Sequence, residues 1–165
     1  MVITNLKQPE THGLRREFET VKSEVNYTLN SILADQFSLL TQTWIAHWNI
    51  RGNLFYTLHN LLGEQYQKLI KMVDAVAERN RQLGGKTLLS LSEISSRNSL
   101  KPIQNPESQS EVVSGLETCH LQVAKEIRDI LASDLLSPDP VTVDLMTEQL
   151  KNHEKMAWVL NAHKM

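Results

Sequence analysis

The residue types that could do chemistry in this chain are histidines and carboxylates. Imidazole combined with carboxylate suits iron or manganese. His47 lies in the stretch AHWNIRG, just before Gly52, and His59 follows in the next segment. Asp74 and Glu78 come later, four residues apart, so on a helix they share one face. Each feature has a plainer reading. A histidine at a helix end can be a core or capping residue, and two acids four apart can be a solvated face. A third feature is Glu117-Thr-Cys-His120. A di-iron bundle needs two Glu-x-x-His motifs and a further glutamate on each of two other helices. The sequence holds no second copy, so Glu117 and His120 read as an exposed glutamate and an ordinary helix histidine.

Spacing limits how these groups can meet. His59 precedes Asp74 by fifteen residues, about 22 Å along a helix axis. One straight helix therefore cannot bring them to one metal. Two antiparallel copies of that helix, crossing at a two-fold axis near Gln67 and Lys68, would set His59 of one against Asp74 and Glu78 of the other. The symmetry would make two equivalent sites. His47, beyond a tight turn, could join His59. Spacing permits this arrangement without establishing it.

Four long segments carry a helical period, and none shows a convincing strand alternation. The first covers about residues 14–50, with Val21, Val25, Leu29, Ile32, Leu33, Phe37, Leu40, Trp44 and His47 on its stripe. NIRGN breaks it. The second covers about 54–83, carries Phe55, Leu58, Leu62, Tyr66, Leu69, Val73 and Ala77, and ends at Gly84-Gly85. A long connection follows, with a short helix expected in SLSEISSRNSL. Ser108 and Glu111 form a capping box for the third long helix. Asp139 caps the fourth, with Pro140 at its first position. The expected fold is all-α: a four-helix bundle of the ferritin-like type, with a short helix in the connection between the second and third long helices. One domain spans 14–165, after a flexible tail at 1–13.

Composition agrees with a folded chain and excludes several classes. It has 165 residues, 41% hydrophobic and 22% charged, with a net charge of −2. That balance gives no overall attraction to nucleic acid or anionic membrane. Cys119 is the one cysteine, so neither an internal disulfide nor a multi-cysteine zinc site can form within a chain. The first twenty residues lack the basic head and apolar run of a signal peptide. No apolar run nears the roughly 20 residues of a membrane span. A cytoplasmic location is expected.

HWNIRGNLFYTLHNLLGEQY, followed by DAVAERNRQLGG, resembles the Dps family of small ferritin-like proteins, the DNA-binding proteins from starved cells. The likeness covers about residues 32–101 and 139–162. It implies a hollow shell of twelve subunits that oxidises Fe(II), preferentially with hydrogen peroxide, stores the ferric mineral and protects against oxidative stress. It also implies ferroxidase centres between two-fold-related subunits, with His47 and His59 from one and Asp74 and Glu78 from the other. Trp48 matches a family tryptophan close to the metals, an electron or radical acceptor whose alternative role is interface packing. One departure stands out: the family usually has an acid four positions after the second histidine, and here that position is Gly63. Glu64 points about 100° away around the helix. The loss puts the second metal position in doubt and keeps a histidine-rich zinc site as an alternative.

Two further expectations concern partners. DNA-binding relatives use lysine-rich tails that displace counterions from phosphates. Here Lys7, Arg15 and Arg16 are balanced by Glu10, Glu17 and Glu19, so DNA binding should be weak or absent. The alternative is a DNA-compacting shell with a poor metal site. The family's acidic three-fold pores make Asp134, Asp139, Asp144 and Glu148 candidates for iron entry, against a simpler role as negative charge at a helix start.

Overall fold

A computed structural model describes residues 11–104, 106–136 and 139–164, with side chains from residue 20 onward. Among these residues there are five helices and no strand: α1 (Thr11–Asn49), α2 (Phe55–Gln82), α3 (Leu91–Arg97), α4 (Gln109–Ala132) and α5 (Pro140–Asn161). The expected tail lies outside the described residues up to position 10, and residues 11–13 belong to α1. α1 packs along α2, and α4 along α5. The two hairpins close on each other through α1 against α4 and α2 against α5. The connection from α2 to α4 crosses the bundle and lays α3 against α1.

The helix ends follow from local chemistry. Ser108 accepts from the Glu111 amide at 3.2 Å, and the Glu111 carboxylate accepts from the Glu107 amide at 2.9 Å. The Ser–Glu pair thus satisfies amides that the first turn leaves open. Asp139 caps α5 by accepting from the Thr142 amide, with Pro140 in the first turn. α2 stops where Gly84 takes φ +78°, a left-handed value that costs glycine little. Its amide returns to the Arg81 carbonyl, and that of Gly85 to Asn80.

Leu29, Ile32, Leu39, Leu58, Leu62, Leu69, Leu116, Ile127, Met146 and Leu160 fill the centre with almost no exposed surface. Amides lie among them. Asn26, Asn30 and Asn80 bond to one another and to the Lys86 carbonyl, tying the middle of α1 to the end of α2. Further along, Gln36 Nε2 donates to Gln149 Oε1 at 2.8 Å and lies 3.0 Å from His153 Nε2.

That contact corrects the reading of Glu117 and His120. Glu117 is buried, paired with Lys164. His120 has no exposed surface, and its Nδ1 lies 2.9 Å from Nδ1 of His153. Since Gln36 donates, His153 Nε2 accepts, so His153 Nδ1–H donates to His120 Nδ1. Both rings are neutral. Burial holds His153 down to about 4, and burial with His153 nearby lowers His120 well below the ordinary range. The sequence signal for this pair was a histidine on the apolar stripe of each of two helices.

Candidate metal centre

His47 sits in the last turn of α1 and His59 in the first turns of α2. The turn between them is tight. The Ile50 amide closes on Ala46, the Phe55 amide bonds to Gly52, and Gly52 has φ +115°. A side chain at 52 would be strained by that backbone and would press on the Gln109 amide at about 3.1 Å. The turn therefore brings the two imidazoles face to face, with ring centroids 3.8 Å apart and planes 24° apart.

Their hydrogen bonds are reciprocal. His47 Nδ1 lies 2.7 Å from the His59 carbonyl oxygen, and His59 Nδ1 lies 3.0 Å from that of His47. A carbonyl can only accept, so each Nδ1 carries its proton, and it is the neutral ring's Nε2 that offers a lone pair. Main-chain carbonyls thereby fix the tautomer and the ring direction, the usual service of groups behind a metal-binding histidine.

Aromatic rings frame the pair. Tyr66 meets His47 edge-on at 5.2 Å and stacks on Trp44 at 5.5 Å, while Trp44 lies 5.3 Å from Trp48. Phe55 stacks on His59 at 5.1 Å. Trp48 is 61% exposed, and Trp44, Ile45, Phe55 and Tyr56 are exposed as well. Gly63 lies beneath His47. A Cβ there would sit 3.4 Å from His47 Cε1 and 3.6 Å from Nδ1, in ordinary contact.

Asp74 and Glu78 lie on α2, exposed, and about 22 and 28 Å along the axis from His59. One chain thus joins the histidines but not the carboxylates, and among the described residues no three or more histidine, cysteine or acidic side chains converge.

The ferritin-like domain family matches residues 27–164. The DNA protection during starvation protein of Agrobacterium fabrum is 33% identical over 158 residues, covering 93% of this chain and 96% of its own. This settles the family. The chain belongs to the Dps family of ferritin-like proteins. An uncharacterized low temperature-induced protein of Nostoc is 35% identical over 136 residues, 81% of this chain and 76% of its own. A solved Dps structure from Vibrio cholerae, described as a member of the ferritin-like diiron-carboxylate superfamily, superposes with a TM-score of 0.81. It is 29% identical and covers 87% of this chain and 90% of that one.

Beyond the family, the structure refines individual residues. Of the four acids near the start of α5, Asp139 is already engaged. Both its oxygens accept from Arg79, at 2.6 and 2.8 Å, and one accepts the Thr142 hydroxyl. These bonds outweigh the opposing effect of burial and lower its carboxyl. Asp144 and Glu148 are exposed, with Glu148 3.5 Å from Lys151. Sequence reasoning placed Trp44 and Tyr66 on the apolar stripe and missed the contact of Tyr66 with His47 of the Dps histidine pair and its stacking on Trp44. Their spacing to Trp48 and His59 was the available signal. Among the described residues, no helix is long and apolar enough to cross a membrane.

Proposed function

We propose that this Dps chain is the subunit of a mini-ferritin shell that oxidises Fe(II), preferably with hydrogen peroxide, and stores the ferric mineral inside a twelve-subunit assembly. The shell thereby protects against oxidative stress. The observation that carries this reading is the pair of imidazoles locked by each other's carbonyls, with an Nε2 lone pair on each ring, beside an exposed aromatic face. His47 and His59 would take Fe(II) together with Asp74 and Glu78 of a two-fold-related copy. The diiron-carboxylate description of the Vibrio cholerae relative supports iron as the substrate. No observation favours zinc.

Each residue type has a part in the chemistry. Neutral imidazoles hold Fe(II) without a proton to displace at Nε2. Carboxylates favour the ferric product, whose higher charge they neutralise. Two Fe(II) give one electron each, and hydrogen peroxide takes both electrons and two protons to form two waters. Two-electron reduction leaves no hydroxyl radical. Trp48, 5.3 Å from Trp44, is the proposed radical acceptor when the second iron is missing: it would give peroxide the second electron and be left as a tryptophan radical. Asp134, Asp144 and Glu148 remain proposed for iron entry, and Asp139 would help by holding the start of α5. The balanced N-terminal charges support weak DNA binding.

The test is the double variant His47→Ala with Asp74→Ala. Peroxide-driven iron oxidation should lose its saturation with Fe(II) per subunit and fall to the rate without protein. Oxidation as fast as in the unaltered protein would remove the site assignment.

A further inference from the structure

Away from the histidines, the crossover between α2 and α4 is fastened at Ser99. Its amide donates to Asp35 Oδ1 at 2.6 Å. Its hydroxyl makes three short contacts: Asp35 Oδ2 at 2.7 Å, Glu126 Oε1 at 2.9 Å and Gln122 Nε2 at 2.9 Å. Asp35 comes from α1, and Gln122 and Glu126 from α4. Asp35 is 2% exposed.

Counting hydrogens decides the charge state. A hydroxyl has one proton to donate and two lone pairs to accept with. Gln122 must present its nitrogen, because the same atom also faces the Ser99 carbonyl oxygen at 3.4 Å. Gln122 therefore donates to one lone pair. The hydroxyl proton satisfies one carboxylate. The other carboxylate can meet the remaining lone pair only by carrying a proton of its own. Asp35 already accepts from the Ser99 amide, a bond that favours its ionised form, so it takes the role of the charged acceptor. The extra proton belongs on Glu126.

We infer that Asp35, Ser99 and Glu126 form a one-proton clamp, which holds the crossover on the bundle while Glu126 is protonated and releases it when that proton is lost. Two ionised carboxylates around one hydroxyl would repel and leave Glu126 with only the long contact from Gln122 Nε2, at 3.5 Å. The electrostatics agree: burial, and then contact with Asp35, push the Glu126 carboxyl up to about 7. The other titratable groups nearby do not replace that proton. Cys119 on α4 is itself raised, by burial and by Asp35. Arg97, two residues before Ser99, is turned to Glu93 and to the Tyr27 ring, 5.0 Å from its centroid. Lys101 offers its carbonyl to Cys119. The segment being held includes Leu100, which is buried, and Ile103, whose amide donates to Gln42.

The sign follows from linkage. A carboxyl raised in the folded state stabilises it fully below its unfolded value of 4.5, and this contribution is lost as pH rises to about 7. Glu126→Gln supplies a permanent N–H donor in place of the acid proton. Infrared spectra of the whole protein should show a protonated-carboxyl band at about pH 5.5 that is gone by about pH 8.5 and is missing in Glu126→Gln. Hydrogen exchange at Ser99 and Leu100, corrected for intrinsic rate, should accelerate about tenfold over that range in the unaltered protein and stay level in the variant. No band at the lower pH would overturn the clamp. So would the same pH-dependence of exchange in both proteins. If the variant does not fold, the infrared band of the unaltered protein decides alone.

Discussion

In the proposed centre Gly63 stands where a carboxylate would complete a second metal position, and replacing it separates space from charge. The glycine lies inside α2 and has no positive φ, so its backbone accepts any residue. A new Cβ would meet only the Cε1 and Nδ1 side of His47, at 3.4 and 3.6 Å. Nε2, the atom proposed to bind iron, is bonded to Cε1 but lies more than 4 Å from that Cβ. Gly63→Ala should therefore fit without moving His47. It should stabilise the helix by roughly 0.5–1 kcal/mol, seen as a rise in Tm of about 2–3 °C. Gly63→Asp adds a charge next to the same ring. At about 4 Å and an effective dielectric near 20, a carboxylate and one unit of positive charge attract by about 4 kcal/mol. A third of that surviving dehydration is worth about tenfold in affinity. Anaerobic Fe(II) titration by calorimetry should then read one tight iron per subunit in the unaltered protein and in Gly63→Ala, but two in Gly63→Asp. If Gly63→Ala also gained a second iron, or Gly63→Asp gained none, the link between Gly63 and the weak position would be refuted.

Two other perturbations test the frame that holds the site. His153 is fully buried and held down to about 4 from an ordinary 6.5, so it stabilises the fold fully above 6.5 and loses that contribution as pH falls toward 4. His120→Gln with His153→Gln should flatten the stability profile across that window by about 3 kcal/mol, measured by urea unfolding at stepped pH; an unchanged acid limb would show that the pair is not what titrates. Gly85→Ala would drive a Cβ into Asn26 Nδ2 and Asn80 Oδ1, breaking the asparagine cluster. A loss of about 2–3 kcal/mol, read as a Tm lower by roughly 5–10 °C, is expected, and an unaltered Tm would mean that the cluster yields freely.

Much of the architecture was legible because it rests on local rules. Ser108 with Glu111, Asp139 with Pro140, and Gly84 mark helix ends through bonds to their own neighbours, and those bonds are present. The histidine pair was legible in part. Two histidines flanking a tight turn suggested proximity, but the reciprocal carbonyl bonds depend on ring rotation, which sequence does not encode locally. Glu117 and His120 were misread for a related reason. Their burial is set by α5 and by Lys164, distant partners that no spacing rule within α4 contains. The proton count at Ser99 was out of reach, since it needs three segments together. Trp44 and Phe55 sit on the apolar stripe yet are exposed, because a stripe records what must be covered and not by which chain.

The buried line from Gln149 through Gln36 and His153 to His120 has a mechanical meaning as well. Leucines on neighbouring helices can exchange partners one turn along and lose little. Amides and imidazoles cannot, because a slipped donor would face hydrocarbon. The line therefore works as an index mark between α1, α4 and α5. His47 lies eleven residues beyond Gln36 on α1, about 16 Å away. A one-turn slip would carry it some 5.4 Å past His59 and separate the two rings. Gln149 Nε2 also reaches the Met72 carbonyl on α2 at 3.5 Å, so the register that pairs His47 with His59 is set in the middle of the bundle, away from the pair itself.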